Sequence, residues 1–237
     1  QFEAKGAVSG PITDTIAVGL AVLRAKRDGY VDDPVQNRSY NDKDVTAGRL
    51  RVAIGGDGPF RLDLSLDGTK EDAALTVGQP VNTLTTLVGG LPILVLPAVL
   101  PEYNFRTRTT PGLPNSTKLI HWGTSATAVY DVNDAFSIKS ITSYRELDTD
   151  DYVDIDATQY ELGDVFVGVN QDQFAQELQF IYQTEAWNVV AGLYYLKENI
   201  TSHQEAYADD LVGPLLGNPT FLRTIDDDLE TTSKAAY

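Results

Sequence analysis

The sequence predicts an all-β chain, specifically an antiparallel transmembrane β-barrel wall of about eight to nine strands, and three observations carry that prediction. Apolar and polar residues alternate with period 2 through most of the chain. The alternating runs are longer than ordinary strands. The connections between them alternate short and long.

The clearest alternation is Phe60-Arg61-Leu62-Asp63-Leu64-Ser65-Leu66-Asp67. Phe60, Leu62, Leu64 and Leu66 share one face, and Arg61, Asp63, Ser65 and Asp67 share the other, the signature of a strand with two unlike sides. Ile16, Val18, Leu20 and Val22 form a second apolar row. Leu50, Val52 and Ile54 oppose Arg49 and Arg51, and Phe136 and Ile138 oppose Lys139. Phe174, Leu178 and Phe180 oppose Glu177 and Gln179, and Trp187, Val189, Ala191, Leu193 and Tyr195 form a further row. Strands are expected near 2–10, 14–27, 44–56, 59–70, 117–131, 135–148, 168–184 and 187–201, with a ninth beginning near Thr231. The run from Thr117 to Tyr130 carries Thr, Ser and Ala on both faces and is the least cleanly patterned. No segment shows a 3.6-residue period with helix caps.

Most of these runs hold roughly 12 to 17 residues, against about 5–6 in soluble sheets. Four connections are tight: Pro11-Ile12-Thr13, Asp57-Gly58, Val132-Asn133-Asp134 and Glu185-Ala186. Four are long and polar or rich in Pro and Gly: 28–43, 71–116, 149–167 and 202–230. Membrane barrels sort their connections in this way, with short turns at one rim and long loops at the other. Trp187 and Tyr195 share a face eight residues apart. At about 3.3 Å per residue, and after tilting, they span roughly 20 Å of height. Tyr130, Phe136 and Trp187 all lie beside short turns, where one aromatic girdle of a barrel sits. The opposite, polar face would then line the lumen, and Arg49, Arg51, Glu177 and Gln179 are the candidate ligand contacts on it, together with the long loops, chiefly 71–116.

Composition narrows the function. The chain has 237 residues, 42% apolar, with a net charge of −16 and its 18 basic residues scattered. A nucleic-acid partner needs clustered Lys and Arg, so none is expected. The absence of cysteine excludes disulfides, thiolate zinc sites and Cys nucleophiles. No run of 18 apolar residues provides a spanning helix. Leu91 to Leu100, interrupted by Pro92 and Pro97, reads as a hydrophobic loop segment. There is no methionine, even at position 1, and Gln1-Phe2-Glu3-Ala4-Lys5 has no signal-peptide character. A processed chain or a fragment is expected.

No catalytic motif occurs, and the expectation is a non-enzyme with no cofactor and no metal site. His121 and His203 fall in different elements, whereas a metal site needs converging ligands. Asp148, Asp150, Asp151, Asp154 and Asp156 form one acidic cluster and Asp226-Asp227-Asp228 another. Both are expected to be solvated loop charge, since the first lacks the glycine and terminal glutamate of an EF-hand loop. Outward-facing carboxylates bridged by divalent cations to lipopolysaccharide are the alternative.

Three stretches, in this order, resemble a known family. They are Arg24-Ala25-Lys26-Arg27-Asp28-Gly29-Tyr30-Val31 followed by Asn41-Asp42-Lys43-Asp44; Ser140-Ile141-Thr142-Ser143-Tyr144-Arg145 before an Asp-rich loop; and Phe174-Ala175-Gln176-Glu177-Leu178-Gln179-Phe180, a turn, then Trp187 to Glu198. Together they resemble the barrel domain of TonB-dependent outer-membrane receptors, over nearly the whole chain. The resemblance implies a 22-stranded barrel in the bacterial outer membrane, a plug domain and a TonB box. It also implies import of a scarce ligand such as a ferric siderophore, cobalamin or an oligosaccharide, driven through the TonB complex. Its implied surroundings are outer-membrane lipid and lipopolysaccharide. Residues 1–237 are expected to be a partial barrel domain, without the plug and the C-terminal strands. A soluble secreted all-β carbohydrate-binding module and a passive porin are the alternatives. Solubility without detergent separates the first from a barrel, and an upstream plug separates an importer from a porin.

Overall fold

In the computed structural model, residues 1–79, 84–88, 91–96, 104–216 and 221–237 are described. Nine long strands form one antiparallel sheet: β1 (Phe2–Pro11), β2 (Ile16–Arg27), β5 (Lys43–Ile54), β6 (Phe60–Ala73), β9 (Thr117–Asn133), β10 (Phe136–Val153), β11 (Asp164–Gln183), β12 (Asn188–Tyr207) and β13 (Leu222–Ala236). They pair strictly with their neighbours in the chain, and the sheet is open, with β1 and β13 at its edges. Two small hairpins, β3 (Val31–Asp33) with β4 (Arg38–Tyr40) and β7 (Leu84–Val88) with β8 (Leu91–Leu96), and a helix α1 (Asp209–Leu216) sit in the long connections.

The nine-strand meander matches the expected order, and the long strands differ from expectation at one end. β10 runs on to Val153, β11 begins at Asp164, β12 extends to Tyr207 and β13 begins at Leu222, well before Thr231. Asp148, Asp150, Asp151 and the Asp226–Asp228 run therefore lie in paired strands rather than in loops. Alternation fails there because the two faces no longer differ: Asp150 and Asp151 on β10 and Asp226 to Asp228 on β13 are polar on both, Val165, Phe166 and Val167 on β11 are apolar on both, and the backbone ladder continues regardless. Leu91–Leu96, expected as loop, is a strand of the second hairpin, and Pro97 to Leu100 lie outside the described residues. Helix α1 has only eight residues, too few for a period to show, and carries Asp209 and Asp210 in its first turn, where acidic side chains suit the helix dipole.

Local chemistry makes the tight turns. Thr13 Oγ1 accepts from the amides of Thr15 (3.2 Å) and Ile16 (3.1 Å). Asn133 Oδ1 accepts from Ala135 (2.9 Å) and Phe136 (3.0 Å), and Thr184 Oγ1 from Trp187 (3.1 Å). Each side chain stands in for a backbone turn acceptor, which short polar residues do well.

The register shows what the two faces are. Val18, Val52, Leu64 and Ala126 lie opposite one another in turn, as do Leu20, Leu50, Leu66 and Thr124. This face is mainly apolar from the tight turns upward, yet among the described residues no layer covers it: Leu20, Leu50, Phe60, Leu64, Leu66, Tyr130, Val189 and Leu193 are all exposed. Among the described residues, the buried apolar cluster is Val31, Tyr40, Leu75, Val77 and Leu113, with Tyr152 against it. It belongs to the long connections, not to the sheet.

Long-range bonds close that small core. Buried Asp33 accepts from the amides of Val35 (2.9 Å), Gln36 (3.1 Å) and Thr109 (3.1 Å). Tyr40 shares a hydroxyl bond with Thr109 (2.5 Å), and the Asn41 side chain accepts from the Val77 amide (2.6 Å) and donates to its carbonyl (3.1 Å). Gly29 lets the two segments meet, because a Cβ there would lie 2.7 Å from the Tyr40 carbonyl oxygen.

Candidate functional site

On the polar face one register row crosses the sheet: Ala21, Arg49, Asp67, Gly123, Arg145, Gln173, Glu198 and Thr231 lie opposite one another from β2 to β13. Arg145 leans across Gly123, where a Cβ would sit 3.0 Å from its Cγ, and reaches His121 Nε2 (3.1 Å) and Asp67 Oδ1 (3.8 Å). Glu198 accepts from Gln171 (2.5 Å) and Gln173 (3.3 Å). Nearer the tight turns, Arg61 pairs with Asp131 at 2.7 Å. The result is a band of donors and acceptors of both signs, suited to holding a polar solute by several hydrogen bonds at once.

All four residues singled out from the sequence lie on this face, and they fall into two pairs. Arg49 is opposite Asp67 and Arg51 opposite Ser65 on β6. Glu177 accepts from Gln179 Nε2 (2.7 Å) and the Tyr237 hydroxyl (2.5 Å). Strands β6, β9 and β10 separate the pairs, so four strand spacings, roughly 19 Å of sheet, lie between them. Periodicity alone misses Asp67, His121, Arg145, Gln173 and Glu198 as companions. The row becomes visible only once each hairpin's register is fixed.

On the apolar face the aromatics form two levels. Trp122 and Tyr130, Phe136 and Tyr144, Phe174 and Tyr182, and Trp187 and Tyr195 are each eight residues apart. The register aligns Tyr144 with Phe174 and Phe136 with Tyr182. At the level far from the tight turns the rings meet: Trp122 to Tyr144 at 5.5 Å and Phe174 to Tyr195 at 6.3 Å, with Lys234 Nζ 5.9 Å over the Tyr195 ring. At the other level lie Phe60 opposite Tyr130, then Phe136, Tyr182 and Trp187, the last 67% exposed. The expected turn-side aromatics are thus in place, and the same eight-residue spacing on β9, β10 and β11 is the signal that marks the second level. Above it the face turns polar, with Glu146 directly opposite Trp122, Lys70 one row beyond, and His203 held between Asp226 (2.5 Å) and Glu205 (3.0 Å).

A third grouping lies in the β10–β11 connection. One oxygen each of Asp154, Asp156 and Asp164 lies within 4.8 Å of the others. Asp164 is 1% exposed and neither of its oxygens has a hydrogen bond of normal geometry. Asp154 is 8% exposed; its Oδ1 accepts from the Ala157 amide (2.7 Å) and its Oδ2 has no partner. Burial, then the neighbouring negative charge of Asp164 and Asp156, pushes Asp154 up to about 7. Burial is also the main cause that pushes Asp164 up to about 6, opposed by the Thr110 hydroxyl and aided by Asp156 and Glu161. The sequence run Asp148–Asp156 is thereby divided: only its last two members turn in to meet Asp164, which lies outside the run.

No protein-family model and no curated protein matches the chain. Two solved structures match it in fold. The ferric yersiniabactin uptake receptor FyuA from Yersinia pestis aligns over 99% of this chain and 41% of its own, with a TM-score of 0.50 and 11% identity. The siderophore receptor PiuA from Acinetobacter baumannii aligns over 98% of this chain and 37% of its own, with a TM-score of 0.60 and 12% identity. The chain thus spans about two fifths of the length of each. In fold, it is a stretch of the antiparallel β-barrel wall that such receptors contain.

Proposed function

We propose that this chain forms part of the barrel wall of a TonB-dependent receptor in the bacterial outer membrane, and that the whole protein imports a scarce ligand. The observation that carries the reading is the uncovered apolar face bounded by two aromatic levels. Exposed apolar surface of this extent is costly in water and normal against lipid. Eight residues between the levels correspond to about 26 Å along a strand, or roughly 20 Å of height once tilted, close to the ~25 Å apolar band of outer-membrane barrels. The same observation disfavours a soluble carbohydrate-binding module, whose strands would bury those rows against a second layer.

The polar face then lines the lumen, and the row from Arg49 to Glu198 is the part of it best equipped to contact a passing ligand. Among the implied ligand classes, iron chelates come first, because both structural neighbours are by name receptors of that kind. Energy would reach the wall through a plug and the TonB complex. No catalytic role is proposed.

Trp122 and Trp187 test the membrane reading directly, since they are the two tryptophans and sit at opposite levels. In full-length protein reconstituted into bilayers, lipids brominated close to the headgroups should quench both emissions strongly, and lipids brominated at the chain ends should quench both weakly. Equal emission with and without brominated lipid would end the membrane assignment. Import is tested separately by growth on a ferric siderophore as sole iron source with and without the gene.

A further inference from the structure

The β10–β11 connection and the first residue of β11 hold two nearly inaccessible carboxylates, Asp154 with one oxygen and Asp164 with both oxygens lacking a hydrogen-bond partner. Solvent does not reach them, and no Lys or Arg is among the charges that act on them: Asp154 feels Asp164 and Asp156, and Asp164 feels Asp156 and Glu161. Burying an ionised carboxylate without a counter-charge is among the most expensive arrangements a protein can adopt. Oxygens up to 4.8 Å apart are what two ligands on opposite sides of one Ca²⁺ ion present at about 2.4 Å each.

From this geometry we infer that Asp154, Asp156 and Asp164 bind a divalent cation of the oxygen-preferring class, Ca²⁺ before Mg²⁺. Three carboxylates and one irregular loop suit the larger ion, which accepts variable geometry, whereas Mg²⁺ demands a near-ideal octahedron. The two orphaned oxygens of Asp164 and the free Oδ2 of Asp154 are the second observation beyond the acidic cluster itself. Asp156 contributes through its own unpartnered Oδ2, because its Oδ1 already accepts from the Thr158 amide at 2.9 Å.

The consequence is a clasp between connections. The loop that supplies the ligands is bonded on one side to the 104–116 segment, where Thr110 Oγ1 donates to the Tyr160 carbonyl at 3.1 Å. On the other side it is bonded to α1, where the Asp210 amide donates to the Glu161 carbonyl at 3.1 Å. A cation that neutralises the three carboxylates holds these segments together. The inference does not rest on the transport reading, since the loop lies beyond the apolar band whatever covers that band.

The test is titration calorimetry on full-length, detergent-solubilised protein, stripped of lipopolysaccharide and treated with chelator, using CaCl₂ and MgCl₂ separately. Saturable binding of one Ca²⁺ is expected with a dissociation constant of about 10⁻⁴–10⁻³ M, the range of extracellular sites, and weaker binding of Mg²⁺. Asp154→Asn combined with Asp164→Asn should weaken Ca²⁺ binding at least tenfold, while Asp227→Asn, in the other acidic run, should leave it intact. No saturable binding up to about 10 mM, or undiminished binding by the double variant, overturns the proposal. Hydrogen exchange on the wild-type protein covers a double variant that fails to fold. Ca²⁺ should slow exchange across residues 154–163 and not at the Asn133 turn, and unchanged exchange at 154–163 is equally fatal to it.

Discussion

The lower and upper parts of the sheet share the same strands but sort their side chains differently. Between the aromatic levels β5 and β6 sort their side chains cleanly, with Leu64 and Leu50 on one face and Asp63 and Arg49 on the other. Beyond them β10, β11, β12 and β13 keep their ladders but carry Asp150, Asn170, Thr201 and Asp228 on the formerly apolar face. The upper part instead gains a core of its own, built by the connections around Tyr40 and Leu75. Backbone pairing therefore sets the length of a strand, while side-chain sorting records what surrounds it.

The largest expected effect sharpens this contrast from the upper side. Leu75 is 1% exposed within the loop core. Leu75→Ala should cost about 3–5 kcal/mol there, the upper range for removing a fully buried leucine. The loss should be local: hydrogen exchange across residues 28–42 should quicken while β9 to β12 stay protected. Simultaneous loss of protection in the sheet would show that the loops and the wall form one cooperative unit.

Next in size is a charge placed between the levels. Leu64 lies opposite Ala126, midway between Trp122 and Tyr130. Leu64→Arg should destabilise the folded protein in bilayers by about 2–4 kcal/mol, the cost of a cation at the midplane of a lipid-facing strand. The same charge at Leu222, on that face but far above the aromatics, should cost about 0–1 kcal/mol. Chemical unfolding in vesicles measures both. Equal costs would mean that the two parts of the sheet see the same solvent.

These two regions were unequally legible in the sequence. Leu62, Leu64 and Leu66 declare their face because two unlike surroundings impose period 2, so the strands between the levels could be placed to within a few residues. The extensions could not: Val165, Phe166 and Val167 are apolar on both faces and Asp226, Asp227 and Asp228 polar on both, so only partner strands show that they pair. Tyr40 and Leu75 gave no signal, since their core joins residues tens of positions apart through bonds such as Thr109 to Asp33. Of the acidic grouping, Asp154 and Asp156 were visible as charge, but Asp164 needed the return of β11 to bring it close. The polar row was half legible: alternation placed Arg49 and Asp67 each on a polar face, but not opposite one another, and it did not bring in Arg145.

Tyr144→Ala is expected to cost about 1 kcal/mol, from lost contact with Trp122 and the loss of an interfacial anchor. Its more specific consequence is positional. With one ring of the upper level missing, Trp122 should move relative to the interface, and the depth-dependent quenching of its emission by brominated lipid should change while that of Trp187 does not. An unchanged Trp122 would mean that these rings are not acting as a level.

The smallest effect addresses the other face. Arg61 and Asp131 form a pair at 2.7 Å with side chains half and one-third exposed. If that face is wet, a double-mutant cycle with Arg61→Ala and Asp131→Ala should give a coupling of about 0.2–1 kcal/mol, as for other exposed pairs. The coupling should shrink further at 1 M salt, where the Debye length falls to about 3 Å. A coupling of several kcal/mol, insensitive to salt, would place the pair in a dry interior. The polar face would then be packed against protein rather than open to water, and the proposed ligand path along Arg49 to Glu198 would be closed at that point. A small, salt-sensitive coupling beside a large cost for Leu64→Arg fits only one arrangement, a sheet with lipid on one side and water on the other.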